Sequence, residues 1–150
     1  MAATLSAMKN VLRVFHLNFI PRSPDFALLI LRVWLGVSLL SLHGWGKLSR
    51  FGAMAPKFSD PLGVGSSASL SMAVLAEVVC AALVALGLLT RFAALVVIIL
   101  LAVAFTMVHG GKLSGPGNGE MAFVYLAGFV TIFFAGPGRF SLDAKAGGAA

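Results

Sequence analysis

The sequence predicts an all-α membrane protein: an antiparallel bundle of four transmembrane helices, preceded by an N-terminal amphipathic surface helix. Three observations carry this expectation. Of 150 residues, 59% are hydrophobic and 11% charged, with a mean hydropathy of +1.00, which leaves too few polar side chains to cover a water-soluble domain. The apolar residues fall into four runs separated by glycine- and proline-containing segments. A lipid-facing backbone must satisfy its own hydrogen bonds, and helices do so within one segment. Finally, the few ionisable residues inside the runs recur at helical spacing, as on Arg32, Gly36, His43 and Lys47, which fall within about 60° on a helical wheel.

Leu5, Met8, Leu12, Phe15 and Phe19 share one helical face, Lys9, Arg13 and His16 another, and Pro21 closes the segment. It is too short and too charged to span, so residues 1–22 read as a juxtamembrane helix on the bilayer surface, and no small-residue cleavage site marks it as a removed leader. Residues 23–144 are expected to form the transmembrane domain and 145–150 a disordered tail. The first span runs from about Asp25, taken as N-cap after Pro24, to about Leu48, a length matching a hydrocarbon core of roughly 30 Å. The segment 49–66, with Pro56, Pro61, Gly63 and Gly65, is a loop whose Phe51, Met54 and Phe58 press back onto the membrane. The second span, Ser67 to Leu89, carries Glu77 near its middle. A tight turn at Thr90-Arg91 makes an antiparallel hairpin with the third, Phe92 to Val108, which His109 follows. Asn118 is a candidate N-cap for the fourth, about Gly119 to Ala135, which Gly136-Pro137-Gly138 stops.

The net charge of +6 does not point to nucleic acid, because the cations are scattered through short loops with no basic run. Anionic lipid headgroups are the expected partner. The single Cys80 excludes an internal disulfide, a CxxC pair and a thiolate cluster. No residue pattern has metal-ligand, nucleotide or nucleophile spacing, and no metal is expected. Lys9, Arg13, Arg22, Arg91, Arg139 and Lys145 lie on the terminal side and Lys47, Arg50, Lys57 and Lys112 opposite, a bias towards cytoplasmic termini.

In that topology His43, Lys47, His109 and Glu120, from three helices, gather at the outer end of the bundle, and they are the candidate ligand-binding residues. The expected apolar walls are Val124, Thr106 and Leu40. Histidine exchanges protons near neutral pH, which suits donors and acceptors to a ligand; water and loop carbonyls satisfy interfacial histidines equally well. Glu120 also fits the helix dipole alone. Two histidines without a characteristic spacing are a weak sign of haem. Arg32, about 9 Å into its span, and Glu77, about 15 Å from the opposite boundary, are expected to form a buried ion pair. That pair either fixes two helices or serves a proton or electrostatic role.

The succession Arg32, Gly36, His43-Gly44, Lys47-Leu48, then Glu77, GLLTR at Gly87 to Arg91, His109, Glu120, Tyr125-Leu126 and GPGRFSLDA at Gly136 to Ala144 resembles the DoxX family. The resemblance implies a bacterial inner-membrane four-helix protein, in a family whose relatives include a subunit of a thiosulfate:quinone oxidoreductase and a component of an oxidative-stress membrane complex. It marks Arg32, Lys47, Glu77, His109 and Glu120 as family-pattern positions without assigning catalysis to any. Three functions follow as expectations. The first is a small subunit of a membrane redox system, in complex with a protein partner, binding a quinone or similar amphipathic molecule. The second is a non-catalytic anchor or assembly subunit. The third is a proton or small-solute carrier, against which the absence of an inverted repeat argues.

Overall fold

The computed structural model describes residues 12, 15–17 and 19–147. The juxtamembrane helix expected over 1–22 falls largely outside them, as do residues 148–150 of the expected tail. Among the described residues there is no strand, and every regular element is a helix. Three helices are long and apolar enough to cross a membrane: α1 (Pro24–Ser49), α2 (Ser66–Leu86) and α3 (Thr90–Val108). The apolar helix α4 (Glu120–Ala135) is shorter.

Helix α1 starts one step earlier than the sequence suggests. Ser23, not Asp25, is its N-cap and accepts from Phe26 N at 3.3 Å, while Pro24, which has no amide hydrogen to lose, takes the first helical position. Asp25 instead receives Arg139 N at 3.0 Å and ties the start of α1 to the segment after α4. Helix α2 ends at Leu86 rather than Leu89, because Gly87 adopts φ +73° and caps it in the left-handed conformation. Asp60 organises the other end of α2, accepting from Val64 N, Gly65 N and Ser69 Oγ. The Ser69 bond first, with those from the loop amides, holds its carboxyl below the usual range.

Small residues set the packing, as lipid-embedded helices favour. A Cβ on Gly36 would meet Ala81 O at 2.5 Å, and one on Gly44 would meet Glu77 O at 2.6 Å, so the backbones of α1 and α2 approach as closely as backbones can. The core joins Leu39 of α1 with Ala76, Cys80, Ala81 and Val84 of α2, Ala93, Ala94, Val97 and Leu101 of α3, and Tyr125, Phe129 and Ile132 of α4. Helix α4 packs mainly on α3, and α1 mainly on α2.

Each of α1, α2 and α3 widens for one π-helical turn, at Leu40–Gly44, Leu75–Cys80 and Ala104–Val108. Such turns leave an extra residue per turn and a locally displaced side chain, and they recur at functional sites.

Candidate functional site

The Arg32 guanidinium is wholly buried and reaches the terminal end of the bundle. It donates from Nη1 to Val84 O and Ala85 O, at 3.1 and 3.2 Å, and from Nη2 to Phe140 O at 2.8 Å. Val84 and Ala85 are in the last turn of α2, where carbonyls run short of helical donors; Val84 O also accepts from Gly87 N at 3.1 Å. Asp143 completes this clamp: its carboxylate accepts from Leu89 N, Thr90 N and Thr90 Oγ1, and its own amide donates to Gly87 O. Burial pushes the Asp143 carboxyl up, but the Thr90 and Leu89 bonds and the Arg32 charge outweigh that and hold it below its ordinary value. Thus the GLLTR and GPGRFSLDA stretches meet as a structural lock.

The expected Arg32–Glu77 ion pair is therefore corrected: Glu77 pairs with Lys47 instead. The reason is register. Gly44 lies against Glu77, so Lys47, one turn beyond Gly44, comes level with the carboxylate. Arg32 lies about 22 Å further back along α1 than Lys47 at the helical rise per residue.

Around the Lys47–Glu77 pair lies a cavity of about 640 Å³. It brings together His43, Lys47 and His109, three of the four expected ligand residues, but not Glu120, which is exposed. Helix α4 turns Met121, Ala122 and Tyr125 towards the cavity, Asn118 reaches it from the loop before α4, and Glu120, two residues before Ala122, points away. Asn118 does act at the start of α4, as its Oδ1 accepts from Glu120 N at 3.0 Å. Val124 and Thr106 are likewise exposed, and the apolar walls come from Leu39, Ala73, Ala76, Leu100 and Ala104 rather than from them or Leu40. Glu77 supplies the carboxylate that Glu120 does not. The signal for it was present: Glu77 is a lone acid inside an apolar run, which demands a cation on a neighbouring helix. The depth of the site also differs from expectation, since Glu77 lies near the middle of α2 and not at its end.

The polar groups are held from behind. Lys47 Nζ donates to Glu77 Oε2 and, at 3.4 Å, to His43 O; Glu77 Oε1 accepts from no donor among the described residues. His109 Nδ1 is 2.8 Å from Gly117 O. A carbonyl only accepts, so Nδ1 carries the hydrogen and Nε2 is the acceptor nitrogen of the neutral ring. The His43 ring packs edge-on against Tyr125, with centroids 5.6 Å apart, and Tyr125 is fixed by its hydroxyl donating to Ser38 Oγ at 2.9 Å. The arrangement presents one carboxylate oxygen, an ammonium and imidazole nitrogens in a mostly apolar chamber. Those groups can hydrogen-bond the oxygens of a headgroup and pass protons to or from it.

The sequence model of a family described as DoxX matches residues 27–110, more than half of the chain and all of this site except its α4 wall and Asn118. No curated protein matches the chain, and no solved structure does.

Proposed function

The chain belongs to the DoxX family and is a small integral membrane protein, and from its cavity we propose that it binds an amphipathic, quinone-like ligand as a small subunit of a membrane redox system. One observation carries the reading. Lys47, Glu77, His43 and His109 meet in a single cavity whose remaining walls are mostly apolar, the division of surface that a polar headgroup with a hydrocarbon tail requires. In this reading α4 is the fourth span, about 24 Å long at the helical rise, with Glu120 at interface depth. The bundle sits in a bacterial inner membrane with both termini cytoplasmic, and its lipid-facing helices carry a partner protein of the redox system.

The role of each group follows from its support. His109 Nε2 and Glu77 Oε1 accept hydrogen bonds from a hydroxyl or a reduced headgroup, and Lys47 donates to a carbonyl. Mass spectrometry and absorbance of the purified protein test this. A retained carbonyl-bearing lipid is expected, lost in Lys47→Met and His109→Ala and kept in Glu120→Gln, with all three variants folded. A clean bundle, with variants indistinguishable from the parent, overturns the ligand reading. The anchor-subunit reading then replaces it, a reading favoured by the direct contact of Lys47 with Glu77, which lets the two charges meet with no ligand between them.

A further inference from the structure

We propose that the cavity opens sideways into the bilayer between α2 and α3, and that the tail of its ligand leaves through this opening near mid-membrane. The inference rests on the ligand reading above and adds the ligand's shape and route. The ligand is a compact oxygen-bearing headgroup on an unbranched alkyl or isoprenoid tail, and it arrives from the hydrocarbon phase.

Helices α2 and α3 pack together from their hairpin as far as the π-helical turn Leu75–Cys80. Beyond it, the outer part of α2, Ser66–Val74, has no comparable packing with the outer turn of α3, Ala104–Val108. The helices part as a wedge, and the cavity occupies it. Leu75 of α2 and Ile99 of α3 both line the cavity, yet they are 50% and 57% exposed. A side chain that is part of a chamber wall and also half open stands at the rim of an opening. Leu75 is about 13 Å from the start of α2 and Ile99 about 13 Å from the end of α3 at 1.5 Å per residue, close to half of a hydrocarbon core of roughly 30 Å. The rim is therefore bathed in acyl chains and not in water.

The opposite walls differ in kind. Facing the rim, α1 contributes His43 and Lys47, with Glu77 at nearly the depth of Leu75. Towards the aqueous end, Phe58, Pro61 and Leu62 of the α1–α2 loop line the cavity, and Asp60 pins that loop to α2 through Ser69 Oγ at 2.7 Å. A largely apolar roof on the water side, in which Ser59 and Asn118 are the polar members, and an apolar rim on the lipid side select a solute that partitions into the bilayer. A headgroup entering at the rim reaches the Lys47–Glu77 pair directly, and its tail lies along the gap.

The test compares two probes on the full chain in phospholipid nanodiscs: a dimethoxy-methyl-benzoquinone without a tail, and the same ring with a decyl tail. Leu75→Trp and Ile99→Trp narrow the rim, whereas Val79→Trp, on a half-exposed position outside the cavity, controls for an added indole. The decyl probe is expected to bind about tenfold more weakly to both rim variants, with the tail-less ring and the control unchanged. If both probes bind the parent and respond equally to the rim variants, or do not respond, the lateral route is wrong while the ligand site stands. If neither binds the parent, the ligand reading fails and takes the route with it. If the rim variants instead dissociate a dimer, a second copy covers the gap and the proposal is overturned.

Discussion

Replacing Glu77 with glutamine removes a charge while keeping nearly the same shape, and it leaves the Lys47 ammonium facing a neutral amide inside the bundle. The side chains of Lys47 and Glu77 are 19% and 10% exposed, so the pair is neither a surface ion pair, whose loss costs about 0 to 1 kcal/mol, nor sealed. Breaking a fully buried pair costs about 3 to 5 kcal/mol. Partial access from the cavity to Lys47 brings the expected loss down to about 2 to 3 kcal/mol. At about 2 to 4 °C per kcal/mol for a chain of this size, Tm should fall by roughly 5 to 10 °C. Cys80→Ala, which leaves only a small void in the same helix, should cost about 1 kcal/mol or less. Lys47→Met combined with Glu77→Leu removes both charges and should recover most of the lost stability. Thermal unfolding in one detergent, read by loss of the monodisperse peak in size-exclusion chromatography, supplies all of these values. The double variant should also fold yet retain no ligand, which separates the pair's structural contribution from its binding role. Single variants that melt with the parent, or a double variant that melts with Glu77→Gln, would refute the argument.

Arg32→Met leaves the carbonyls of Ala85 and Phe140 without their side-chain donor and Val84 O with Gly87 N alone and should cost about 3 kcal/mol, with Arg32→Lys failing to rescue because one ammonium does not reproduce the forked geometry; equal Tm values for Lys and Arg would contradict this. Asp60 and Asp143 both have carboxyls held below their ordinary value, so their contribution is complete above the unfolded pKa of about 3.9 and is lost as pH falls through the lower folded values. Asp60→Asn with Asp143→Asn should therefore melt earlier at neutral pH and show a flatter acid limb below about pH 4; an unchanged acid limb would count against it. Reporter fusions at the C-terminus should respond as cytoplasmic, and a periplasmic response would invert the bundle.

The fold was legible wherever a single helix decided the matter. Composition and run length marked the spans, and the stripe through Arg32, Gly36, His43 and Lys47 does face inward, because a charge or a glycine in a lipid-embedded helix points to a neighbour. Features that depend on two helices together were not legible. Whether Glu77 meets Arg32 or Lys47 is set by the register of α1 against α2, which the Gly36 and Gly44 contacts fix and no helical wheel contains. Helix α4 misled for a related reason: hydrophobicity does not separate its inward face from its outward one in lipid. Glu120, Val124, Ala127 and Thr131 recur at helical spacing yet are exposed, while the larger Tyr125, Phe129 and Ile132 are the ones buried.

The two halves of the bundle use their buried cations differently, and the π-helical turns mark the division. At the terminal end, Arg32 spends its donors on the last carbonyls of α2 and on Phe140, and the helices there are regular and closely packed. In the other half all three spanning helices carry a π-helical turn: two hold His43 and Glu77, and the third ends next to His109. A wider turn shifts the register of every residue beyond it, so His43 and Glu77 face the chamber while the stripes below them stay in the core. Winding Leu40–Gly44 as regular α-helix with no residue removed would rotate Lys47 by about 100° away from Glu77, whereas deleting one residue there would remove the turn and leave the direction of Lys47 unchanged. The cost of keeping these turns is understandable if the chamber is the part of the fold that does chemistry, and the closed end is what holds it open.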